Sequence, residues 1–377
     1  MHFLSKSQML EFVRERLDLF DAAEKTNPFA GGAWTLHFLE QVAEESWTFT
    51  IPEYLVGGES LMLLYSDVKS PYRRSAVANY YTSLYSPLIS SLESPEERAV
   101  AITKLVQQLL KLRPRCSYID LSPLSDSTET ASLQQSISAL GWYTKKYECF
   151  GNWYLPCANM SFDEYIKGRS SKLLNTWTRK RKKFEQTASS GTRLEIVVDP
   201  AKVASAMDAY DAIYAKSWKK PEPYRDFVRN WALVCAQKGW LRLGLAWLGD
   251  TPVAAQFWFT MHSRAFIFKL AYDEEHAKLS AGTVLSAHML KYALDEDRVV
   301  EIDYLTGDDT YKTAYMTNRR QRVGLIACDP WTPRGLLVSA KELAGEITKP
   351  WRLRLRAHRG AGTSTASPRI HDGERDG

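Results

Sequence analysis

The sequence is poor in the features that would place it in a disulfide-bonded, metal-binding or membrane-spanning class. Its 377 residues hold five cysteines, Cys116, Cys149, Cys157, Cys235 and Cys328. An odd number without a C-x-x-C pair argues against a disulfide framework or a thiolate zinc site and fits a reducing, cytoplasmic setting. The seven histidines show no H-x-x-x-H spacing, so no metal is expected. No run of about 18 apolar residues is present, so no membrane span is expected. Walker and G-x-S-x-G patterns are missing too, which removes P-loop and α/β-hydrolase chemistry. Net charge is only +5, from 49 Lys and Arg against 44 Asp and Glu, too little to argue for nucleic acid by itself. The opening MHFLSKSQMLEFVRERLDLF is charged every few residues and reads as an amphipathic helix, not a secretory leader.

What the chain has in quantity is aromatic side chains. Twelve Trp and nineteen Tyr suffice to line grooves as well as to fill cores. The length allows two domains. Residues 5–24 predict a helix, broken by Asn27-Pro28-Phe29; 34–45 predict a second, and 47–56 with 60–65 a hairpin around Gly57-Gly58. Ser94-Pro95-Glu96-Glu97 opens a helix through residue 112, with Ser94 as N-cap. A short strand at 118–121, a helix at 133–140 and a strand at 142–154 complete the first half. Ser161 and Glu164 form a capping box for a long helix over 162–188, whose later part carries the five basic residues 179–183. The second half continues with a strand at 194–198, a helix at 201–216, and paired strands at 240–248 and 252–261 joined at Gly249-Asp250. A strand at 264–272, a helix at 284–294 and strands at 299–305 and 322–327 come next, then a helix at 334–347. Residues 357–377 are Gly/Ser/Thr/Arg-rich without periodicity and are expected to be disordered. Both halves repeat paired strands, helix, strand, helix and strand, which points to a duplicated fold.

The stretch 264–312 holds most candidates for chemistry. Ser280-Ala281-Gly282-Thr283 places small residues at a helix start. Such a turn exposes backbone N–H groups to a phosphate or carboxylate, or else is an ordinary cap. Lys269 sits inside the apolar FIFKLAYD with Asp273 four residues on, either facing a cleft or guarding an edge strand. Tyr311 and Lys312 follow Gly307 just beyond a strand, where α/β proteins gather their sites. There the tyrosine could protonate a leaving group and the lysine hold an anion, or both could be ordinary loop residues. Trp218-Lys219-Lys220-Pro221 either walls a substrate groove or plugs an interface. The run 179–183 either meets phosphates of RNA, CoA or a membrane surface, or is a solvated helix face.

Several of these pieces occur in a recognisable order. NPFAGGAW, SSKLLNTWTRKRKKFE, the Trp218-Lys219 pair, G-x-x-x-V-A-A-Q at Gly249 to Gln256, KLAYDEEHAKLSAGTVL and EIDYLTGDDTYK together resemble the CelD/FemAB-like acyltransferases of the GNAT (N-acetyltransferase) superfamily, up to about residue 330. The resemblance implies an α/β (α+β) fold of tandem GNAT-like domains, each a mixed, mostly antiparallel sheet flanked by helices. The expected division is a degenerate N-terminal domain at 1–160, a C-terminal acyltransferase domain at 161–356 and a tail at 357–377. The resemblance also implies acyl transfer to an amine. GNAT enzymes seat the acyl-CoA pyrophosphate on a Q/R-x-x-G-x-G/A turn at a helix N-terminus; aligned on Gly282, this chain has Ala277, Ser280 and Gly282 there. The altered spelling leaves two donors open, acyl-CoA and the aminoacyl-tRNA of the FemAB branch. The family's Gly-x-x-x-Tyr-Lys element maps onto Gly307, Tyr311 and Lys312.

The expected protein is therefore a cytoplasmic N-acyltransferase using acetyl-CoA or another acyl-CoA, without a metal. Its expected acceptor is a small-molecule or glycan-precursor amine, such as an amino sugar or envelope-polysaccharide precursor. An aminoacyl-tRNA-dependent transferase and a non-catalytic component of a polysaccharide-synthesis complex are the alternatives. Tyr311 is the expected acid, Asp303 or Asp273 an aid to amine deprotonation, and Lys269 a holder of negative charge. Ser280, Ala281, Gly282, Thr283 and Lys312 are the expected donor seat. Trp218, Tyr272, Asp273 and Gly307 are the expected substrate contacts.

Overall fold

The computed structural model describes residues 2–55, 59–89, 94–187, 191–224 and 226–344. The Gly57-Gly58 turn and the tail at 357–377 lie outside the described residues. The chain opens with β1 (His2–Leu4), α1 (Lys6–Glu15) and α2 (Leu17–Glu24). These are two helices where one was expected, because Arg16 leaves helical geometry at φ −123 and ψ 29. Then come α3 (Gly32–Gln41), β2 (Thr48–Ile51), β3 (Glu53–Tyr54), β4 (Ser60–Leu61), β5 (Leu64–Ser66), β6 (Arg73–Ala76) and β7 (Leu88–Ile89). The expected hairpin is present but broken into four short strands, with Thr50 still opposite Leu64 and Glu53 opposite Leu61. The first half ends with α4 (Pro95–Lys111), β8 (Tyr118–Ser125), α5 (Thr128–Ala139) and the long β9 (Tyr143–Pro156).

The second half begins with α6 (Phe162–Lys167) and α7 (Ser171–Thr187). Ser161 and Glu164 make the expected capping box, but Gly168 ends α6, so the long helix is interrupted. β10 (Thr192–Val197), α8 (Val203–Ala215), α9 (Phe227–Gln237), β11 (Leu241–Leu248), β12 (Thr251–Met261) and β13 (Arg264–Tyr272) follow. α10 (Ala281–Lys291), β14 (Glu301–Asp303), α11 (Lys312–Tyr315), β15 (Asn318–Cys328) and a final helix over 333–344 complete the described chain.

Twelve strands form one mixed, mostly antiparallel sheet, in the order β1-β2-β5-β6-β8-β15-β9-β14-β13-β12-β11-β10. Each half contributes one parallel pair, β6 with β8 and β13 with β14. The last strands of the halves are exchanged. β15 lies between β8 and β9, and β9 passes on to pair with β14, Leu155 opposite Ile302. A division near residue 160 thus splits the chain but not the sheet. β9 pairs with β15 and β14 of the second half, and β15 with β8 and β9 of the first.

Helices cover the sheet through apolar faces. α1, α2, α3, α8 and α9 share one core that joins the halves, where the Trp34 ring meets Phe29 at 4.8 Å, Trp231 at 5.0 Å and Phe227 at 5.5 Å. Leu173, Trp177 and Phe184 of α7 enter a second core with α10. Among the described residues no helix is long and apolar enough to cross a membrane, and no group of three or more His, Cys, Asp or Glu is placed to hold a metal ion.

Candidate active site

The candidate site lies at the fork between β13 and β14. The two strands pair only over Arg264–Glu301, Ala265–Ile302 and Phe266–Asp303, and β13 then runs on to Tyr272 with β12 on its other edge. A bulge sits in this free part. Ile267 faces Trp258 and Lys269 faces Phe257, so Phe268 is the extra residue. Successive strand residues normally point to opposite faces; a bulge breaks that alternation, and Phe268 and Lys269 both reach the cavity that opens in the fork. The cavity holds about 320 Å³ and is walled by Trp218, Lys219, Tyr304, Tyr311 and Lys312 from the second half and by Tyr80, Tyr81 and Ser83 from the first.

The first-half wall is held by the N-P-F segment. The Asn27 side chain accepts from the Phe29 N–H at 3.1 Å and donates to Leu84 O at 3.2 Å and Ser86 Oγ at 2.9 Å. Ser83 Oγ lies 2.9 Å from Thr306 Oγ1 across the cavity. A motif that reads as a loop opener in the sequence thus fixes the cavity's far side.

Inside, Lys269 donates to Glu222 Oε1 at 2.7 Å, and the same carboxylate accepts from Tyr214 at 2.8 Å and Tyr81 at 2.8 Å. Burial pulls the Lys269 pKa below its usual value, with Glu222 opposing the shift. Lys312 is also buried. It donates to Thr306 O at 2.7 Å and Gly307 O at 3.2 Å and lies 3.2 Å from Asp309 Oδ2. Gly307 is required there. Its φ of +108 is a glycine conformation, and an added Cβ would sit 3.1 Å from Lys312 Nζ. Tyr311 is 45% exposed, packs edge-on against Tyr304 with ring centroids 5.9 Å apart, and its hydroxyl has no hydrogen-bond partner among the described residues. Desolvation, then Asp309, push its pKa above the usual tyrosine value, so it stays protonated.

The start of α10 lies one step away. Ser280 takes a left-handed conformation, φ 55 and ψ 31, and makes no side-chain cap. The Ala281 and Gly282 N–H groups have no acceptor within the helix, as first-turn donors never do. Gln256 fixes this turn, donating to Gly282 O at 3.2 Å and Ser286 Oγ at 2.6 Å. A Cβ on Gly282 would come within 3.6 Å of the Tyr272 ring, and that ring lies 4.5 Å from the Trp218 ring. The path from α10 through Tyr272 and Trp218 to the cavity is therefore continuous. α7 packs along α10, with Lys180 Nζ 3.5 Å from Thr283 Oγ1.

Comparison with known proteins follows the same lines. Residues 171–313 match the family model of the acetyltransferase (GNAT) domain. The second half of the chain carries an acetyltransferase (GNAT) domain. Its fold is similar to FemX, with a TM-score of 0.58 at 11% identity over 90% of this chain and 99% of that one. It is also similar to L-PGS from Bacillus licheniformis, with a TM-score of 0.51 at 10% identity over 88% and 96%. No curated protein is significantly similar in sequence.

Within the GNAT fold, the sequence-derived candidates divide into three groups. Lys269, Trp218, Tyr311 and Lys312 come together at the cavity, with Gly307 shaping the Lys312 loop. Ser280, Ala281, Gly282 and Thr283 gather at the α10 turn, with Tyr272 between the two groups. Asp273 and Asp303 stand apart. Asp273 is fully buried and caps its own turn, accepting from Glu275 N at 2.9 Å with His276 Nδ1 at 3.1 Å and Lys216 Nζ at 3.4 Å. Burial raises its pKa, but these donors hold it below the usual carboxylate range. Asp303 accepts from Asn152 Nδ2 at 2.5 Å, from Leu305 N at 2.6 Å and from Arg320, and does not line the cavity. Each carboxylate oxygen of both aspartates already accepts at least one hydrogen bond from within the protein. Sequence reasoning misses Glu222, Tyr80 and Tyr81. Glu222 sits in KKPEPY, whose prolines read only as a loop, and Tyr80-Tyr81 lie in the other half of the chain.

Proposed function

We propose that this protein moves an acyl group from an acyl-CoA to an amine, with the acceptor in the cavity between the halves. The observation that carries this reading is the unbroken path from the uncapped α10 turn, past Tyr272 and Trp218, to Tyr311. The turn suits a pyrophosphate: two outward N–H groups, side chains no larger than Thr283, and Lys180 alongside. The thioester supplies an activated acyl group. The amine nitrogen bonds to the acyl carbon, the carbon–sulfur bond breaks, Tyr311, kept protonated, gives its proton to the sulfur, and the proton that the nitrogen loses restores the tyrosine. At the cavity Lys219, Lys269 and Lys312 outnumber Glu222 and Asp309, and that positive balance favours the free-base form of an amine held there. Asp303 then positions β14 and its following loop, and Asp273 positions the turn before α10. An amino sugar or envelope-polysaccharide precursor is the acceptor class that the FemAB-like resemblance favours.

One observation favours a second reading, an aminoacyl-tRNA donor. Arg179, Arg181, Lys182 and Lys183 are exposed on α7, the helix that lies along the α10 start, and such a face suits a polyphosphate backbone. The experiment is a paired one. Acetyl-CoA is expected to raise the melting temperature, by the equivalent of about 2.7 kcal/mol at a hundred times its Kd, and to yield acylated amine by mass spectrometry. Tyr311→Phe is expected to lower kcat about a hundredfold while leaving acetyl-CoA binding intact. Salt-sensitive binding of charged tRNA with no response to any acyl-CoA would replace the first reading by the second. Silence in both would remove the transferase reading.

A further inference from the structure

Three lysines face the cavity, and two of them are already satisfied. Lys269 has Glu222, which Tyr81 and Tyr214 also hold. Lys312 has two carbonyls and Asp309. Lys219 has neither an acceptor nor a counter-ion among the described residues; its ammonium contact there is the face of the adjacent Trp218 ring, 5.7 Å away. With Glu222 and Asp309 set against the three ammonium groups, the cavity carries one surplus positive charge, and that charge is Lys219. Desolvation is the main cause that pulls the Lys219 pKa down to about 8, with Lys269 and then Lys312 acting in the same direction and Glu222 and Asp309 against it. The other titratable groups around the cavity are Tyr80, Tyr81, Tyr304 and Tyr311, all neutral at pH 7, so none of them supplies the missing negative charge.

We infer that Lys219 seats an anionic group of the acceptor, a carboxylate or a phosphate, so that the substrate is an amine that also carries negative charge. This rests on the acyl-transfer reading above. A simple ammonium compound would be repelled by three lysines. A molecule with an anion at one end would be drawn in by Lys219, with its amine left to face the α10 turn. The aromatic walls, Trp218, Tyr80, Tyr81, Tyr304 and Tyr311, suit the apolar face of a sugar ring or a short carbon chain between the two ends.

The test needs no donor. The lysines of the wild-type protein are dimethylated with ¹³C-formaldehyde, and the Lys219 signal is assigned by its loss in Lys219→Arg. Inorganic phosphate and acetate are then titrated in separately, so the two anion chemistries are told apart. Either should move the Lys219 signal and raise its pKa, and the Lys269 and Lys312 signals, assigned in the same way, should move less. Binding of matched amines follows by calorimetry: phosphoethanolamine against ethanolamine, and glycine against glycinamide. The anionic member should bind about tenfold more tightly or better. Lys219→Gln should abolish the difference, and Lys219→Arg should keep most of it. Removing a half-buried cation that has no counter-ion among the described residues should not unfold the protein, and the titration itself is run on the wild-type protein, with Lys219→Arg, which keeps the charge, used for assignment. No movement of the Lys219 signal with either anion, or equal affinities within each pair, overturns the inference. Transfer from acetyl-CoA with no such preference defeats this inference alone; an anion seat without transfer from acetyl-CoA defeats the functional reading alone.

Discussion

The two halves share one plan and differ in what they leave unsatisfied. In the first half β6 and β8 form the parallel pair, and α4 and α5 stand where α10 and α11 stand in the second. A cavity of about 360 Å³ opens there too, lined by Arg98, Ser125, Ser127, Glu129 and Thr130 among others, and it is the larger of the two. Yet its polar groups are paired internally. Arg98 donates to Glu129 at 3.0 Å, Arg322 to Ser125 Oγ at 2.6 Å and Thr130 to Ser125 O at 2.7 Å. The start of α4 is closed as well. Ser94 Oγ accepts from Glu97 N at 3.1 Å, the Glu97 carboxylate accepts from Ser94 N at 3.3 Å, and Glu96 and Glu97 repel an anion. The start of α10 has no side-chain cap and no acidic residue in its first turn. Cavity size therefore does not mark the site. The marks of the proposed site are an open helix start and a lysine without a partner among the described residues, and both lie in the second half.

The largest expected effect concerns the seam between the halves. Asp303, Asn152, Arg320 and Arg322 form one buried network, in which Asn152 Oδ1 accepts from Arg320 at 2.6 Å and Arg322 at 3.1 Å. Arg322 reaches on to Ser125 of β8, so the network ties the exchanged strands β9 and β15 to both halves. Asp303→Asn leaves Arg320 with Glu301 at 3.0 Å as its charge partner and takes the carboxylate from the Asn152 and Leu305 donors, which should cost about 3 kcal/mol of stability, read by urea unfolding. A stable Asp303→Asn protein that has lost only turnover would show instead that this carboxylate acts on the substrate.

Next in size is a charge placed at the open helix start. Gly282→Glu sits at the second helical position, where a carboxylate suits the helix dipole, so the fold should be unharmed. Acetyl-CoA affinity should fall about a hundredfold, because like charges brought together cost several kcal/mol. The mirror variant, Glu96→Lys in α4, should leave acetyl-CoA affinity unchanged, measured by the same calorimetry. A response of equal size at both helix starts would erase the distinction between the halves.

Much of this contrast is legible in the sequence. Ser94-Pro95-Glu96-Glu97 spells a closed helix start, and Ser280-Ala281-Gly282-Thr283 an open one, because capping is local chemistry. The expected β11, β12 and β13 lie within a residue of their observed ends, since apolar runs bounded by Gly249-Asp250 and His262-Ser263 leave little choice. α9 has no counterpart among the expected helices, although Phe227, Val228, Trp231, Ala232 and Cys235 make a helical stripe; its start follows the Trp218–Pro223 loop, whose prolines mask the period. The strand exchange is beyond reach, because β9 and β15 pair across more than 150 residues and no local pattern encodes a partner. The roles of Asp273 and Asp303 are hidden for the same reason. A carboxylate near a strand end looks available in sequence, and only the positions of Lys216, Asn152 and Arg320 show that it is taken.

The smallest effect expected is at the closed helix start. Ser94→Ala removes one half of the capping box and leaves the Glu97 N–H without its acceptor, at a cost of about 1 kcal/mol. Thermal unfolding should register that loss as a shift of a few degrees at most. Acyl transfer should not register it, because α4 faces the first-half cavity and not the α10 turn. The comparison makes this asymmetry a strict requirement: the same kind of local change, a helix-start side chain, must act on stability alone in one half and on donor affinity in the other. If Ser94→Ala lowers turnover beyond what its lost stability explains, then the first half takes part in the reaction, and its internally paired cavity has to be read as a site held closed rather than one without function.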